Sequence, residues 1–128
     1  MDHPTRLAFL LLILAQAAHS AEEYVFRLYD RFAPASFVSD LFGLDRSAGF
    51  LLANLALVLF GLWCWAARVR PGRPSGRAFA WFWALLETAN GIVHLLLALG
   101  ASGYFPGLAT APLLLGLGVW LAFRLARG

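Results

Sequence analysis

The sequence predicts an all-α fold: a single domain, residues 1–128, of four transmembrane helices with both termini cytoplasmic and a short interfacial helix between the first two. Three observations predict it. Hydrophobic residues make up 61% of the chain and charged residues 13%, which leaves too little polar surface for a water-soluble protein of this size. The apolar residues gather into four runs, about 6–24, 49–67, 79–99 and 108–126, each near the ~20 residues a helix needs to cross ~30 Å of hydrocarbon. The runs are also unbroken, without the apolar–polar alternation of barrel strands.

The first run starts behind Arg6 and ends in His19-Ser20-Ala21-Glu22-Glu23-Tyr24. Its Leu-rich core and small residues, Ala15-Gln16-Ala17 and Ala18-His19-Ser20, also resemble a secretory signal. The four-span topology requires that the segment stay. The link over 30–48 spaces Phe37, Leu41 and Leu44 at i, i+4 and i+7, which suits a short helix in the interface or, equally, a surface loop with apolar anchors. Between the second and third runs, Pro71-Gly72-Arg73-Pro74-Ser75-Gly76 is a turn signal. Ser102-Gly103-Tyr104-Phe105-Pro106-Gly107 makes a tight return into the fourth.

Orientation follows from arginine, since the chain has no lysine. One side carries Arg6, Arg68, Arg70, Arg73, Arg77, Arg124 and Arg127 against Asp2 alone, while Arg27, Arg31 and Arg46 on the other are offset by Asp30, Asp40 and Asp45. The positive-inside rule puts both termini in the cytoplasm, and the chain is expected to be a multi-pass membrane protein, of the plasma (inner) membrane if bacterial. The net charge of +3 is therefore topology information. With no basic stripe interleaved with aromatics, no nucleic-acid partner is expected. The single Cys64 excludes an internal disulfide and a cysteine-cluster metal site.

Ionisable residues within membrane segments mark functional sites by default. On a helix, His19, Glu22 and Glu23 share a face at i, i+3 and i+4, extended by Gln16; Glu87, Asn90 and His94 share one at i, i+3 and i+7, with Gly91 allowing a close neighbour. From Arg6, His19 lies about 20 Å across the membrane; from Arg77, Glu87 lies about 15 Å and His94 about 26 Å across. Asn54, counted from Arg68, reaches a similar level. All the glutamates and two of the three histidines belong to this cluster. A structural alternative makes Glu22 and Glu23 ordinary interfacial carboxylates and Glu87 a protonated partner of Asn54 or His19.

The run His19-Ser20-Ala21-Glu22-Glu23, the later His94 and Tyr104-Phe105-Pro106-Gly107 together resemble the HXXEE family of small integral membrane proteins. That family is named for its His-x-x-Glu-Glu motif and also carries a further histidine and a Tyr-x-Pro-Gly motif. The resemblance implies a shared site and names no reaction.

Two imidazoles and three carboxylates on facing helices form the donor set of a metal centre, zinc or iron by ligand type. His19 and His94 are expected as ligands, Glu23 and Glu87 as ligands or bridges, and Glu22 as a ligand or general base. Asn90, Tyr104 and Asn54 are expected around the cofactor or substrate. Glu22 and Glu87 are the catalytic candidates of a membrane enzyme acting on a lipid-like or other apolar small molecule. Two alternatives stand beside it: a metal-free acid/base isomerase, and a small proton- or ion-coupled transporter, for which four spans are few. The sequence leaves a homo-oligomer open.

Overall fold

The computed structural model describes residues 1–101 and 103–128, so Ser102 of the expected return lies outside the described residues. The chain is all-α, with no strand among the described residues. The helices are α1 (His3–Val25), α2 (Leu28–Arg31), α3 (Phe37–Phe42), α4 (Arg46–Cys64), α5 (Gly76–Gly100) and α6 (Ala111–Arg127). A 3-10 turn, Ala33–Ser36, precedes α3, and a π-turn, Trp65–Val69, extends α4.

Local chemistry sets the ends. Asp2 caps α1, its carboxylate accepting from the Thr5 amide at 3.0 Å. Asp45 caps α4, accepting from Ser47 N at 2.9 Å. Both match the preference for short acidic acceptors at the first unpaired amides. Arg27 takes a left-handed conformation (φ 59°) between α1 and α2. There it breaks the first long helix just after the apolar run.

The helices share one core. Phe9, Leu12 and Ile13 of α1 pack with Cys64, with Val69 of the π-turn, with Trp83 and Ala84 of α5, and with Leu114, Leu121 and Leu125 of α6. Trp83 is fully buried. The most extensive pairing joins α5 and α6, where a Cβ on Gly91 would lie 2.9 Å from both the Ala111 carbonyl oxygen and the Leu115 nitrogen. The neighbour that Gly91 was expected to admit is therefore α6. A smaller cluster of Leu28, Tyr29 and Phe50 closes the far end, with Phe32, Ala35 and Phe105 against it.

The expected short helix forms as α3, but Leu44 lies beyond its C-cap, Gly43. It sits tightly on α4, where a Gly49 Cβ would meet the Ser39 backbone at 2.6 Å. It turns Phe37, Leu41 and Phe42 outward, each more than 60% exposed.

Two helices, Arg46–Val69 and Gly76–Gly100, are long and apolar enough to cross a membrane by length and composition. The other two expected spans fall short of that measure for visible reasons. α1 holds Gln16, His19, Ser20, Glu22 and Glu23 in its second half, and α6 has 17 residues.

Candidate metal centre

Two helices bring three donors to one point. His19 and Glu23 occupy successive turns of α1 at i and i+4, and His94 reaches them from α5. His19 Nε2 lies 3.3 Å and His94 Nε2 2.9 Å from the same oxygen, Glu23 Oε1. One ligand atom from each residue falls within 4.8 Å of the other two, so the group could hold a metal ion. The three side chains are almost wholly buried, and the imidazoles meet edge to face, 4.6 Å between centroids.

The outer nitrogens fix the tautomers. His94 Nδ1 lies 2.9 Å from the Pro106 carbonyl oxygen, which can only accept, so Nδ1 carries the proton. His19 Nδ1 lies 2.6 Å from Thr110 Oγ1, and that hydroxyl donates to Glu22 Oε2; it therefore accepts from His19. Both rings then turn Nε2 inward, onto the same Glu23 oxygen. His19 Nε2 is buried and has no hydrogen-bond partner. An imidazole whose far N–H is held by an acceptor while its other nitrogen faces a carboxylate is oriented as metal-ligating histidines are.

The loop between α5 and α6 supplies that second layer. Gly107 has φ 92°, and a Cβ there would lie 2.4 Å from His94 Nδ1 and 2.8 Å from His19 Cε1. Its bare backbone is thus pressed against both imidazoles, which only glycine permits.

Glu22, expected as a ligand or general base, lies outside the three-residue group. Consecutive helix positions point about 100° apart, so Glu22 diverges from Glu23. Its carboxylate instead accepts from Ala109 N at 3.0 Å, Thr110 N at 2.9 Å, the Thr110 hydroxyl and the Tyr104 hydroxyl. Those amides lie just ahead of α6, whose N-cap is Thr110, so the carboxylate sits near the positive end of that helix. Tyr104, expected around the cofactor, is therefore bound to Glu22 and not to the His–Glu–His group.

Loss of water around the Tyr104 hydroxyl, with the Glu22 carboxylate it faces, pushes its pKa up to about 12. Its proton is thus retained while the unfolded chain's tyrosine has lost its own, and this part of the stability fades as pH rises from about 10 to about 12. Ultraviolet titration of the wild type minus Tyr104→Phe should show one phenol ionising near 12. A midpoint near 10 for that phenol would mean that the Glu22 contact does not form.

Glu87 and both asparagines belong to a second polar system. Glu87 is fully buried; Oε2 accepts from Asn90 Nδ2 at 3.4 Å, and Oε1 has no partner. Asn90 also reaches Gln16 Oε1 at 3.4 Å, Gln16 donates to Ser20 Oγ at 3.0 Å, and Ser20 donates to Asn54 Oδ1 at 2.6 Å. This chain joins α5, α1 and α4. Sequence reasoning did not single out Thr110 or the Pro106 carbonyl; the nearest signal was the adjoining Tyr-x-Pro-Gly run.

Fold and site define an all-α protein with a buried His–Glu–His group able to hold a metal ion. The chain belongs to the family described as proteins of unknown function with HXXEE motif, which matches residues 10–121. Neither a curated protein nor a solved structure matches it.

Proposed function

We propose that this chain is an integral membrane metalloprotein in which His19, Glu23 and His94 hold one divalent metal, zinc or iron, for chemistry on a lipid-like or other apolar substrate. The observation that carries the reading is the orientation of both Nε2 atoms onto one Glu23 oxygen, with both Nδ1 atoms already engaged. Two histidines and one carboxylate leave coordination positions for water or substrate, as in hydrolytic zinc and non-haem iron sites. Such a metal would supply Lewis-acid activation or, as iron, redox chemistry.

The membrane part of the proposal has four spans and cytoplasmic termini. It is supported by an apolar exterior that includes Leu14, Leu52, Leu59, Leu85, Leu96 and Leu113, each at least half exposed, more than a soluble monomer leaves bare. The substrate part is supported by a groove of about 300 Å³ between α1 and α4, lined by Ala17, Tyr24, Phe50 and Leu55 with Ser20 and Asn54 in its wall. From there the polar chain runs inward to Glu87, whose unbonded oxygen is suited to carry a proton to or from a reacting group.

Metal content tests the reading. Purified protein should carry about one equivalent of zinc or iron, and His19→Ala, Glu23→Ala and His94→Ala should each carry almost none. Wild-type protein that stays metal-free after incubation with both ions would overturn it. The Glu23–His94 pair and Glu87 would then be left as a metal-free acid/base site.

A further inference from the structure

The opposite end of the bundle holds an arginine cavity that the metal centre does not use. It measures about 300 Å³ and lies between the start of α1 and the π-turn, lined by His3, Arg6, Leu7, Leu10, Trp65 and Arg70. No acid lines it. Asp2, the carboxylate that the arginine count assigns to this side, is paired with Arg124 elsewhere, and among the described residues Arg6 and Arg70 form no ion pair. Arg6 Nη1 donates to the Arg70 carbonyl at 2.9 Å, while Arg6 Nε is buried without a partner.

The π-turn builds the other wall. Arg70 N bonds the Trp65 carbonyl at 2.8 Å, an i to i+5 contact, and the Arg70 guanidinium lies over the Trp65 ring, 5.4 Å from its centroid. On a regular α-helix these positions would diverge by about 140°. The wider turn stacks them, so that a cation and an aromatic face line one cavity. Such turns recur at functional sites.

We infer that this cavity binds the phosphate of an anionic phospholipid from the cytoplasmic leaflet, with an acyl chain lying along α1. Arg6 and Arg70 offer planar donor forks that match phosphate oxygens. Leu7 and Leu10 begin the apolar wall, and Leu7, Leu11 and Leu14 continue outward along α1, each more than a third exposed. A guanidinium rim above an apolar groove fits a charged head on a hydrocarbon tail better than a soluble anion. The inference rests on the membrane reading but not on the metal.

The test uses the full chain in detergent, with phosphatidylglycerol and phosphatidylcholine of identical acyl chains, and bound lipid counted by native mass spectrometry. Phosphatidylglycerol should bind roughly tenfold more tightly, and the Arg6→Gln/Arg70→Gln double variant should lose that preference. Arg46→Gln, at the other end of the bundle, should keep it. Should the double variant not fold, Arg70→Gln at an exposed position should lower the preference by itself. Equal binding of the two lipids, an unchanged preference in the variants, or displacement of the lipid by millimolar inorganic phosphate would overturn the proposal. Whether the protein stays in the membrane fraction after an alkaline wash tests the membrane reading separately.

Discussion

Gly107→Ala is expected to abolish the proposed metal binding and to lower stability by about 3 kcal/mol, combining positive-φ strain with overpacking. The reason is geometric. The added methyl would sit 2.4 Å from His94 Nδ1 and 2.7 Å from His94 Cε1, inside the contact distance of real atoms, and 2.8 Å from His19 Cε1. Relief requires the loop to lift or the rings to rotate. Either movement breaks the bond from His94 Nδ1 to the Pro106 carbonyl and swings Nε2 away from Glu23. Gly103→Ala is the matched control: φ is also positive there, at 126°, but nothing lies within 4 Å of the new methyl. It should strain the backbone and keep its metal. The measurement is metal content beside chemical denaturation for both variants, and a Gly107→Ala protein with its full metal complement would contradict the site geometry.

The second large effect separates the two adjacent glutamates. Glu22→Ala leaves two amides and two hydroxyls of the α5–α6 loop without their acceptor, a loss of about 2–3 kcal/mol. It also frees the Thr110 hydroxyl from its role as acceptor for His19 Nδ1. Metal affinity should then fall by roughly 10- to 100-fold, the usual cost of removing a support behind a ligand. Glu23→Ala, which removes a proposed ligand oxygen, should eliminate binding. Isothermal titration of the apo-proteins with zinc distinguishes the two. Equal, complete loss in both variants would make Glu22 a ligand, and wild-type affinity in Glu22→Ala would show that the clamp does not tune the site.

How much of this was legible in the sequence depends on the range of the interaction. Helical spacing and rise per residue placed His19, Glu23 and His94 at one depth, and the structure brings those three together. The four long helices also fall on the four apolar runs, with ends shifted by up to three residues because caps override hydropathy: α1 begins behind Asp2, and α4 behind Asp45. What spacing could not show was the rotation separating Glu22 from Glu23. A one-face description of i, i+3 and i+4 spans too wide an arc to say which carboxylate a neighbour will claim. That choice is made by Thr110, 88 positions away from Glu22, and no local pattern reports it. Depth and the face shared with Asn90 and His94 group Glu87 with the ligands, whereas it accepts from Asn90, which in turn reaches Gln16 across the helix interface. The π-turn left no signature in the Trp65–Val69 segment beyond its aromatic and arginine residues.

The split between donors and supports has a consequence for the order in which the protein becomes competent. All three donor residues have been synthesised by position 94, yet the groups that orient both imidazoles come from Pro106, Gly107 and Thr110. A nascent chain ending before that loop has every ligand and lacks the tautomeric control that makes them converge. On the proposed metal reading, acquisition of the ion waits for the α5–α6 loop and not for the ligands themselves.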